Sequence, residues 1–176
     1  MSEPVDHLGR MMVIWNWIEA WLQIAAPESL AHLYLGAMEQ QLQAVETALG
    51  LPLPADLKAS WSLHNGTADF FFGGWGFLTL EQMAVAYRAE RSFEDWPPTS
   101  IPFATDGAGG SLCTNMDTSK GEQMGRIVFF DHELGERFVA ADFWSLMSGF
   151  VNDLEDGEYG VDASGRLVSD DVSLDT

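Results

Sequence analysis

Apolar residues recur every three or four positions along several stretches of the chain, a spacing that places them on one face of a helix. The spacing predicts helices over residues 11–25, 38–49, 55–64, 80–87 and 143–154. Pro27 stops the first helix, because proline cannot continue a helix that precedes it. Gly50 and Gly157 end the second and the last, since glycine tolerates the left-handed backbone of a C-terminal cap.

Local capping and breaking signals sharpen these boundaries. Thr79 and Gln82 form a capping box, in which the hydroxyl and the amide side chain satisfy helix-end amides reciprocally. Asp142 is the expected N-cap of the last helix. Two prolines within residues 51–54 forbid a helix there and predict an extended connector. The tryptophans of the first stripe are interpreted as core residues rather than as a binding face: Trp15, Trp17 and Trp21.

The middle of the chain is predicted to be β structure. Residues 101–104 and 111–116 flank a glycine-rich turn, and residues 126–130 and 137–140 flank a second turn, which predicts two hairpins. Residues 70–77 are rich in phenylalanine and glycine and predict a strand and a turn, with the glycines where the chain bends.

Helices followed by strands and then by a closing helix predict an α+β fold. We expect a single domain over residues 1–160, with a mainly antiparallel or mixed sheet flanked by N-terminal and C-terminal helices. Residues 161–176 are polar and acidic, and Asp170, Asp171 and Asp175 lie near their end. This composition predicts a weakly ordered tail.

Charge narrows the class of partner. The 176 residues include 27 acidic and 8 basic side chains, a formal net charge of −19, together with seven tryptophans. A disordered acidic segment would lack these aromatics, so the pattern indicates a folded domain with a negative exterior. Nucleic acid and anionic membranes are not expected partners, because both require basic patches. A basic protein would be attracted, although solubility alone also accounts for such a charge.

Compartment follows from features that the sequence lacks. The one cysteine, Cys113, cannot form an internal disulfide, and the first ten residues contain no basic segment followed by an apolar run. The apolar stretches are shorter than the roughly 20 residues that span a bilayer. We therefore expect a soluble, cytoplasmic protein.

No pattern predicts a catalytic, cofactor or metal site. The four histidines do not share the spacing of four residues that would put a zinc-binding pair on one helix face. Residues 131–133 place three possible ligands side by side, but adjacent strand residues point in opposite directions, so a solvated turn is favoured. The turn at 106–110 lacks the lysine and the following helix of a phosphate loop. Cys113 would need a nearby base to act as a nucleophile, and a small core filler is the favoured interpretation.

Several short segments occur in an order that carries a resemblance. They are Glu46, Leu49-Gly50, Leu53-Pro54, His64-Asn65-Gly66, the capped helix from Thr79, Ile101-Pro102-Phe103-Ala104, the turn at 106–110, Gly125-Arg126-Ile127-Val128, Asp142-Phe143 and Gly157-Glu158-Tyr159. The chain thereby resembles the SUKH superfamily, in the branch of the fungal cell-wall assembly regulator (the Smi/Knr type), over roughly residues 38–159.

This resemblance implies an α+β fold with a mixed sheet and flanking helices. It also implies that there are no shared catalytic residues. Many bacterial relatives resemble immunity proteins that neutralise toxins, often nucleases, whereas the fungal members act as regulatory scaffolds.

We therefore interpret the chain as a non-enzymatic protein-binding module, expected to be an immunity protein that occludes the groove of a basic, nuclease-like toxin. A scaffold without a toxin partner, and a small hydrolase that uses an acidic pair or Cys113, stay as alternatives. Exposed tryptophans such as Trp75 or Trp96 could anchor a partner. Carboxylates at the end of the last helix oppose the helix dipole and could serve binding, although a solvated helix end is the favoured interpretation. The candidate partner-binding residues are Trp75, Glu90, Glu94, Asp95, Trp96, Asp106, Asp153, Glu155, Asp156 and Glu158.

Overall fold

A computed structural model of the chain describes residues 3–169, except for the side chains at 120, 122 and 123. The helices in this range are α1 (His7–Ala25), α2 (Pro27–Ala31), α3 (Glu39–Leu49), α4 (Ala55–Leu63), α5 (Leu80–Glu90) and α6 (Phe143–Glu155), with a 3-10 helix at Thr118–Gln123. The strands are β1 (Gly76–Phe77), β2 (Ser100–Thr105), β3 (Ser111–Asn115), β4 (Ile127–Asp131), β5 (Gly135–Ala140), β6 (Tyr159–Val161) and β7 (Leu167–Ser169).

Strands β1 to β5 form one antiparallel sheet in which each strand pairs with its neighbour in sequence. Strands β6 and β7 form a separate hairpin. The α+β class is confirmed. Every pairing between the named strands is antiparallel, so the mixed sheet implied by the resemblance is not found among residues 3–169.

Both faces of the sheet are covered, which explains why its central strands are apolar almost throughout. Leu112 of β3 and Ile127 of β4 face the main core. The next residue in each strand, Cys113 and Val128, faces a second cluster that contains Trp96. Successive strand residues point to opposite faces, so each strand contributes to both layers.

Trp61 lies at the centre of the main core, where α4, α6 and the sheet meet. Its ring centroid is 5.5 Å from that of Phe77, 6.2 Å from Phe103 and 5.6 Å from Phe143. The indole N–H donates a 2.8 Å hydrogen bond to the carbonyl oxygen of Leu78. The ring is thus buried without leaving its polar group unpaired.

The first helix is attached to α4 by an ion pair whose carboxylate is buried and whose basic partners are partly exposed. Asp56, in the first turn of α4, is 6% exposed. Its carboxylate accepts a 2.7 Å hydrogen bond from Nε of Arg10 and a second hydrogen bond from Nη2 of the same guanidinium. One of its oxygens also lies 2.7 Å from Nδ1 of His7. Two basic side chains of α1 therefore converge on one buried carboxylate.

Two further polar contacts follow along the same pair of helices. Nε1 of Trp15 donates to the hydroxyl of Ser60 over 2.8 Å, and Nε2 of His64 lies 2.7 Å from a carboxylate oxygen of Glu19. Successive contacts are about one helical turn apart on both helices. Helices α1 and α4 therefore run side by side in the same direction, joined at three levels.

The predicted helix boundaries are confirmed within a few residues. Gly50 adopts a φ of 67° after α3, as a left-handed cap requires. The capping box is formed, because Oγ1 of Thr79 accepts from the backbone of Gln82 over 3.1 Å and the Gln82 side chain accepts in return over 2.9 Å. The carboxylate of Asp142 accepts a 2.7 Å hydrogen bond from the N–H of Ser145 and caps the N-terminus of α6.

The first helix starts earlier than the apolar stripe indicates. It begins at His7 rather than at residue 11. The side chain of Asp6 accepts a 2.9 Å hydrogen bond from the N–H of Gly9 and so caps an additional first turn, which lies before the apolar stripe. Trp15 is 2% exposed, while Trp17 and Trp21 pack partly buried against the core. The interpretation of the tryptophan stripe as core is therefore confirmed.

The hairpin β6–β7 corrects the expected boundary of the weakly ordered tail at residue 161. Leu167 is buried, and its N–H donates a 2.8 Å hydrogen bond to the hydroxyl of Ser29 at the start of α2. Arg166 pairs with Asp69 over 2.8 Å. The hairpin is thus held to the domain, and residues 170–176 of the predicted tail lie outside the described residues.

Within residues 3–169, the helices are too short or too polar to cross a lipid bilayer.

Replacing the buried carboxylate of Asp56 should weaken the attachment of α1. We expect Asp56→Ala to lower the free energy of unfolding by about 1–3 kcal/mol, because Arg10 loses its charged acceptor. The measurement is urea denaturation at neutral pH. Glu81→Ala is the matched control, since Glu81 occupies the same position in α5 but is exposed and contributes only the helix-dipole effect. Equal losses in the two variants would contradict the role of the buried ion pair.

Candidate protein-binding groove

Side chains from two distant parts of the chain meet at a surface groove of about 410 Å³. Trp75 lies on one side, and carboxylates from the end of α6 and the residues after it lie on the other. We call this the acidic groove; its lining residues are Phe72, Gly73, Trp75, Asp153, Asp156, Glu158, Tyr159 and Ser169. The structure thus brings together four of the residues proposed from the sequence: Trp75, Asp153, Asp156 and Glu158.

A tight turn before β1 holds Trp75 in place. The N–H of Trp75 donates to the carbonyl of Phe72 over 2.8 Å, and the N–H of Phe72 donates in return over 3.1 Å. Gly73 and Gly74 between them both have positive φ, at 54° and 79°, as a two-residue turn that closes a hairpin demands. The half-buried indole then packs edge-on against Phe129, with ring centroids 5.8 Å apart.

Aromatic rings that continue into the core form the floor of the groove. Phe150 of α6 is 1% exposed, and it packs edge-to-face against Phe72 at 4.8 Å and against Tyr159 at 5.3 Å. Burial, and next the charge of Asp153, raise the pKa of Tyr159 to about 12. The phenol therefore stays neutral at physiological pH and can donate a hydrogen bond at the base of the groove.

Crowded carboxylates form the rim. Asp153, Asp156 and Glu158 are exposed at the C-terminal end of α6, where the helix dipole already disfavours negative charge. Partial burial raises the pKa of Asp153, and the neighbouring charges of Glu158 and Asp156 raise it further. A bound cation would relieve this repulsion. Glu155 is exposed on the same helix but does not line the groove.

The second acidic cluster is not a free patch, which corrects the expectation of an exposed site around Trp96. Trp96 is 5% exposed and packs edge-to-face on Phe130 at 4.6 Å, so it is not available as an anchor. Nε2 of His132 lies 2.7 Å from Glu90, and Nδ1 lies 3.2 Å from Asp95. Two of the three carboxylates thus bind an internal partner.

The sequence analysis assigned residues 131–133 to a solvated turn and did not identify the contacts of His132 with carboxylates. The side chain is solvent-accessible, but it connects the β4–β5 turn to the end of α5 and the segment after it. The hydrogen bond to Glu90 raises its pKa most, and the contact with Asp95 adds to the shift. Within residues 3–169, there is no group of three or more His, Cys, Asp or Glu side chains that could hold a metal ion. Glu94 is exposed beside this cluster.

Asp106 has a local structural role. Its carboxylate accepts hydrogen bonds from the N–H groups of Ala108 over 2.8 Å and of Gly110 over 2.9 Å, so it organises the turn between β2 and β3. It lines a smaller depression of about 250 Å³ that shares Gly73 and Ser169 with the acidic groove. Asp106 is therefore a neighbour of the groove and not part of its wall.

Cys113 is a core residue, as its strand position indicated. The side chain is fully buried, and burial raises the pKa of its thiol well above the ordinary value, with smaller contributions from the charges of Glu90 and Glu136. A protonated, inaccessible thiol is a poor nucleophile.

Comparison with known proteins shows that most of this chain matches one protein family. Residues 36–149 match the family model of the SMI1/KNR4 family (SUKH-1). The chain is 22% identical to the cell wall assembly regulator SMI1 of Saccharomyces cerevisiae, over 98% of this chain and 46% of that protein. It is 34% identical to the human F-box only protein 3, over 49% of this chain and 18% of that protein.

The KNR4/SMI1 homolog of Eremothecium gossypii is 35% identical over 35% of this chain and 10% of its own length. The chain therefore spans less than half the length of each of these relatives. The family match includes Trp75, but it ends at residue 149, before the carboxylate rim of the acidic groove.

The His132 cluster should make stability depend on pH. Because the pKa of His132 is higher in the folded than in the unfolded chain, the ion pairs with Glu90 and Asp95 contribute fully below about pH 6.5. This contribution is lost as the pH rises through the folded-state pKa. We expect the difference in unfolding free energy between the wild type and His132→Asn, measured by urea denaturation, to shrink over that range.

His32→Asn is the control for this experiment, since His32 lies outside the carboxylate cluster. A wild-type advantage over His132→Asn that is equally large at pH 6 and pH 9 would contradict the assignment.

Proposed function

The chain belongs to the SMI1/KNR4 family (SUKH-1), and from this premise we propose that it is a non-catalytic protein-binding module whose acidic groove receives a basic segment of a partner. The family is one of regulators and immunity-type proteins and is not known for enzymes. The observation that carries the proposal is the meeting of Trp75 with the carboxylates Asp153, Asp156 and Glu158 over an aromatic floor.

This arrangement suits the side chains of arginine and lysine. The aliphatic stem of such a side chain can pack on Trp75 and Tyr159, while the charged head pairs with the rim carboxylates. Charge-assisted hydrogen bonds of this kind are among the strongest that a surface can form. Partial burial raises the pKa of Asp153 most, and the charges of Glu158 and Asp156 raise it further. A cation bound beside these carboxylates would relieve the repulsion among them.

The leading role is that of an immunity protein that neutralises a basic, nuclease-like toxin by covering its substrate groove. A nuclease must present basic residues to a nucleic acid backbone. A chain with a net charge of −19 would be drawn to that surface, and its association would be accelerated at low salt. The bacterial immunity proteins that the sequence resembles support this role, with the cytoplasm as the expected compartment.

A regulatory scaffold without a toxin partner is the second candidate. The observation that favours it is the similarity over 98% of this chain to a protein named as a cell wall assembly regulator. Genomic context separates the two roles. A neighbouring gene for a large secreted protein with a variable C-terminal end favours immunity, and an isolated gene favours the scaffold. The third alternative is a small hydrolase that uses an acidic pair or Cys113. Its thiol version has little support, because Cys113 is buried and burial raises the pKa of its thiol.

Neutralising one rim carboxylate should weaken the partner complex. The partner is first captured from the native host on immobilised wild-type protein, identified by mass spectrometry and purified. We expect Asp156→Asn to reduce its affinity by about 3- to 10-fold, since about 1.4 kcal/mol corresponds to a factor of ten. The wild-type association rate should fall as salt is raised from low to physiological ionic strength.

Glu155→Gln is the matched control, because it removes one charge from the same helix but outside the groove. If both variants bind like the wild type, or if the association rate ignores ionic strength, the acidic groove is not the basis of recognition.

A further inference from the structure

A second, apolar groove of about 370 Å³ lies beside the acidic groove and shares Phe72 and Trp75 with it. Its remaining apolar lining includes Leu112, Phe129 and Val139, and no carboxylate lines it. Trp75 therefore lies between an acidic groove and an apolar one and lines both of them. We call this second groove the apolar groove, and we refer to the two grooves as compartments.

The sheet register builds the apolar groove. Leu112 pairs with Phe129, and Phe129 pairs with Arg137, so these side chains form a row on one face of β3, β4 and β5. Val139 is the extra residue where the register of β5 against β4 shifts, between Phe138 and Ala140, and both Phe138 and Val139 line the groove. The guanidinium of Arg137 lies 5.3 Å from the ring centre of Phe129, which places a positive charge in the apolar groove.

The apolar groove retains uncovered hydrophobic surface. Phe138 is 61% exposed and Val139 is 40% exposed, although both line it. Strand β5, which carries both residues, is an edge strand of the sheet. Exposed apolar surface that is concentrated in a concave site is typical of positions where a partner buries an anchor residue.

We propose that the two grooves form one bipartite site for an extended segment of a partner protein, which places an apolar side chain in the apolar groove and an arginine or lysine in the acidic groove. The proposal rests on the proposed function and adds to it the apolar half and the order of the two residues. Because Arg137 lies in one compartment and the carboxylates in the other, the site has electrical polarity. That polarity sets which end of the segment lies towards α6.

Charge complementarity selects this occupant over two others. The chain's own sequence after Ser169 carries Asp170 and Asp171, which the rim carboxylates would repel. A second copy of the chain carries the same net charge of −19, so two copies repel each other over long range. A basic partner meets neither barrier, and a segment that also carries an apolar residue satisfies both compartments.

Selection from a random-peptide library on the immobilised full chain tests the proposal. We expect the enriched sequences to carry a large apolar residue at a fixed spacing from arginine or lysine. The affinity of an enriched peptide is then measured by fluorescence anisotropy, together with versions in which the apolar residue is changed to alanine or the basic residue to glutamine. Each change should weaken binding by about tenfold, the effect expected for an anchor. Because both changes are made in the peptide, misfolding of the protein cannot explain the losses.

Protein variants then assign each half of the peptide to its compartment. Val139→Ser should weaken the parent peptide but have little further effect on the peptide whose apolar residue is alanine, since the lost contact is the same one. Asp156→Asn should show the same coupling with the glutamine peptide. Val85→Ser, at a position that is 64% exposed on α5, and Glu155→Gln are the matched controls.

The outcomes separate this inference from the proposed function. Enriched peptides that are basic but carry no apolar residue at a fixed spacing, or that bind equally well with alanine there, overturn the bipartite site and leave the acidic groove as proposed. A selection that enriches no basic residue, or binding that is indifferent to Asp156→Asn, overturns both.

Discussion

Edge-to-face and tilted contacts between aromatic rings join the centre of the core to the surface groove, and the geometry of the groove depends on them. Trp61 contacts Phe77, which lies 6.1 Å from Phe71, and Phe71 lies 5.6 Å from Phe150. Phe150 in turn supports Tyr159 in the floor of the acidic groove. Because close-packed rings resist displacement, the acidic groove is held in its shape, and such preorganisation would lower the entropic cost of the association that we propose.

The strongly negative charge is used in two different ways. Asp56 and Glu90 each bind a basic side chain that ties one element to another. The carboxylates at the end of α6 instead lie near one another, and the charges of Glu158 and Asp156 add to the effect of burial in raising the pKa of Asp153. Net charge gives long-range attraction to a basic protein, whereas the placement of the crowded carboxylates beside Trp75 gives that attraction a specific position.

The family match begins before α3 and ends within α6. Residues 36–149 contain the sheet, Trp61 and Trp75, which form the common scaffold. Helix α1 lies before this region and is joined to α4 by polar contacts at three levels. The carboxylate rim lies after it.

The sequence by itself determined five of the helices, the two hairpins β2–β3 and β4–β5, and most of the helix ends. Each signal acts within a single turn of chain: the capping box at Thr79, the left-handed Gly50 and the N-cap Asp142 need only their neighbours. Only the tertiary structure decided that Trp75 and Asp153 line one groove, that Trp96 is buried and that His132 binds Glu90. Each of these arrangements depends on the sheet register or on how the helices pack on the sheet, and both result from long-range contacts that no short segment encodes.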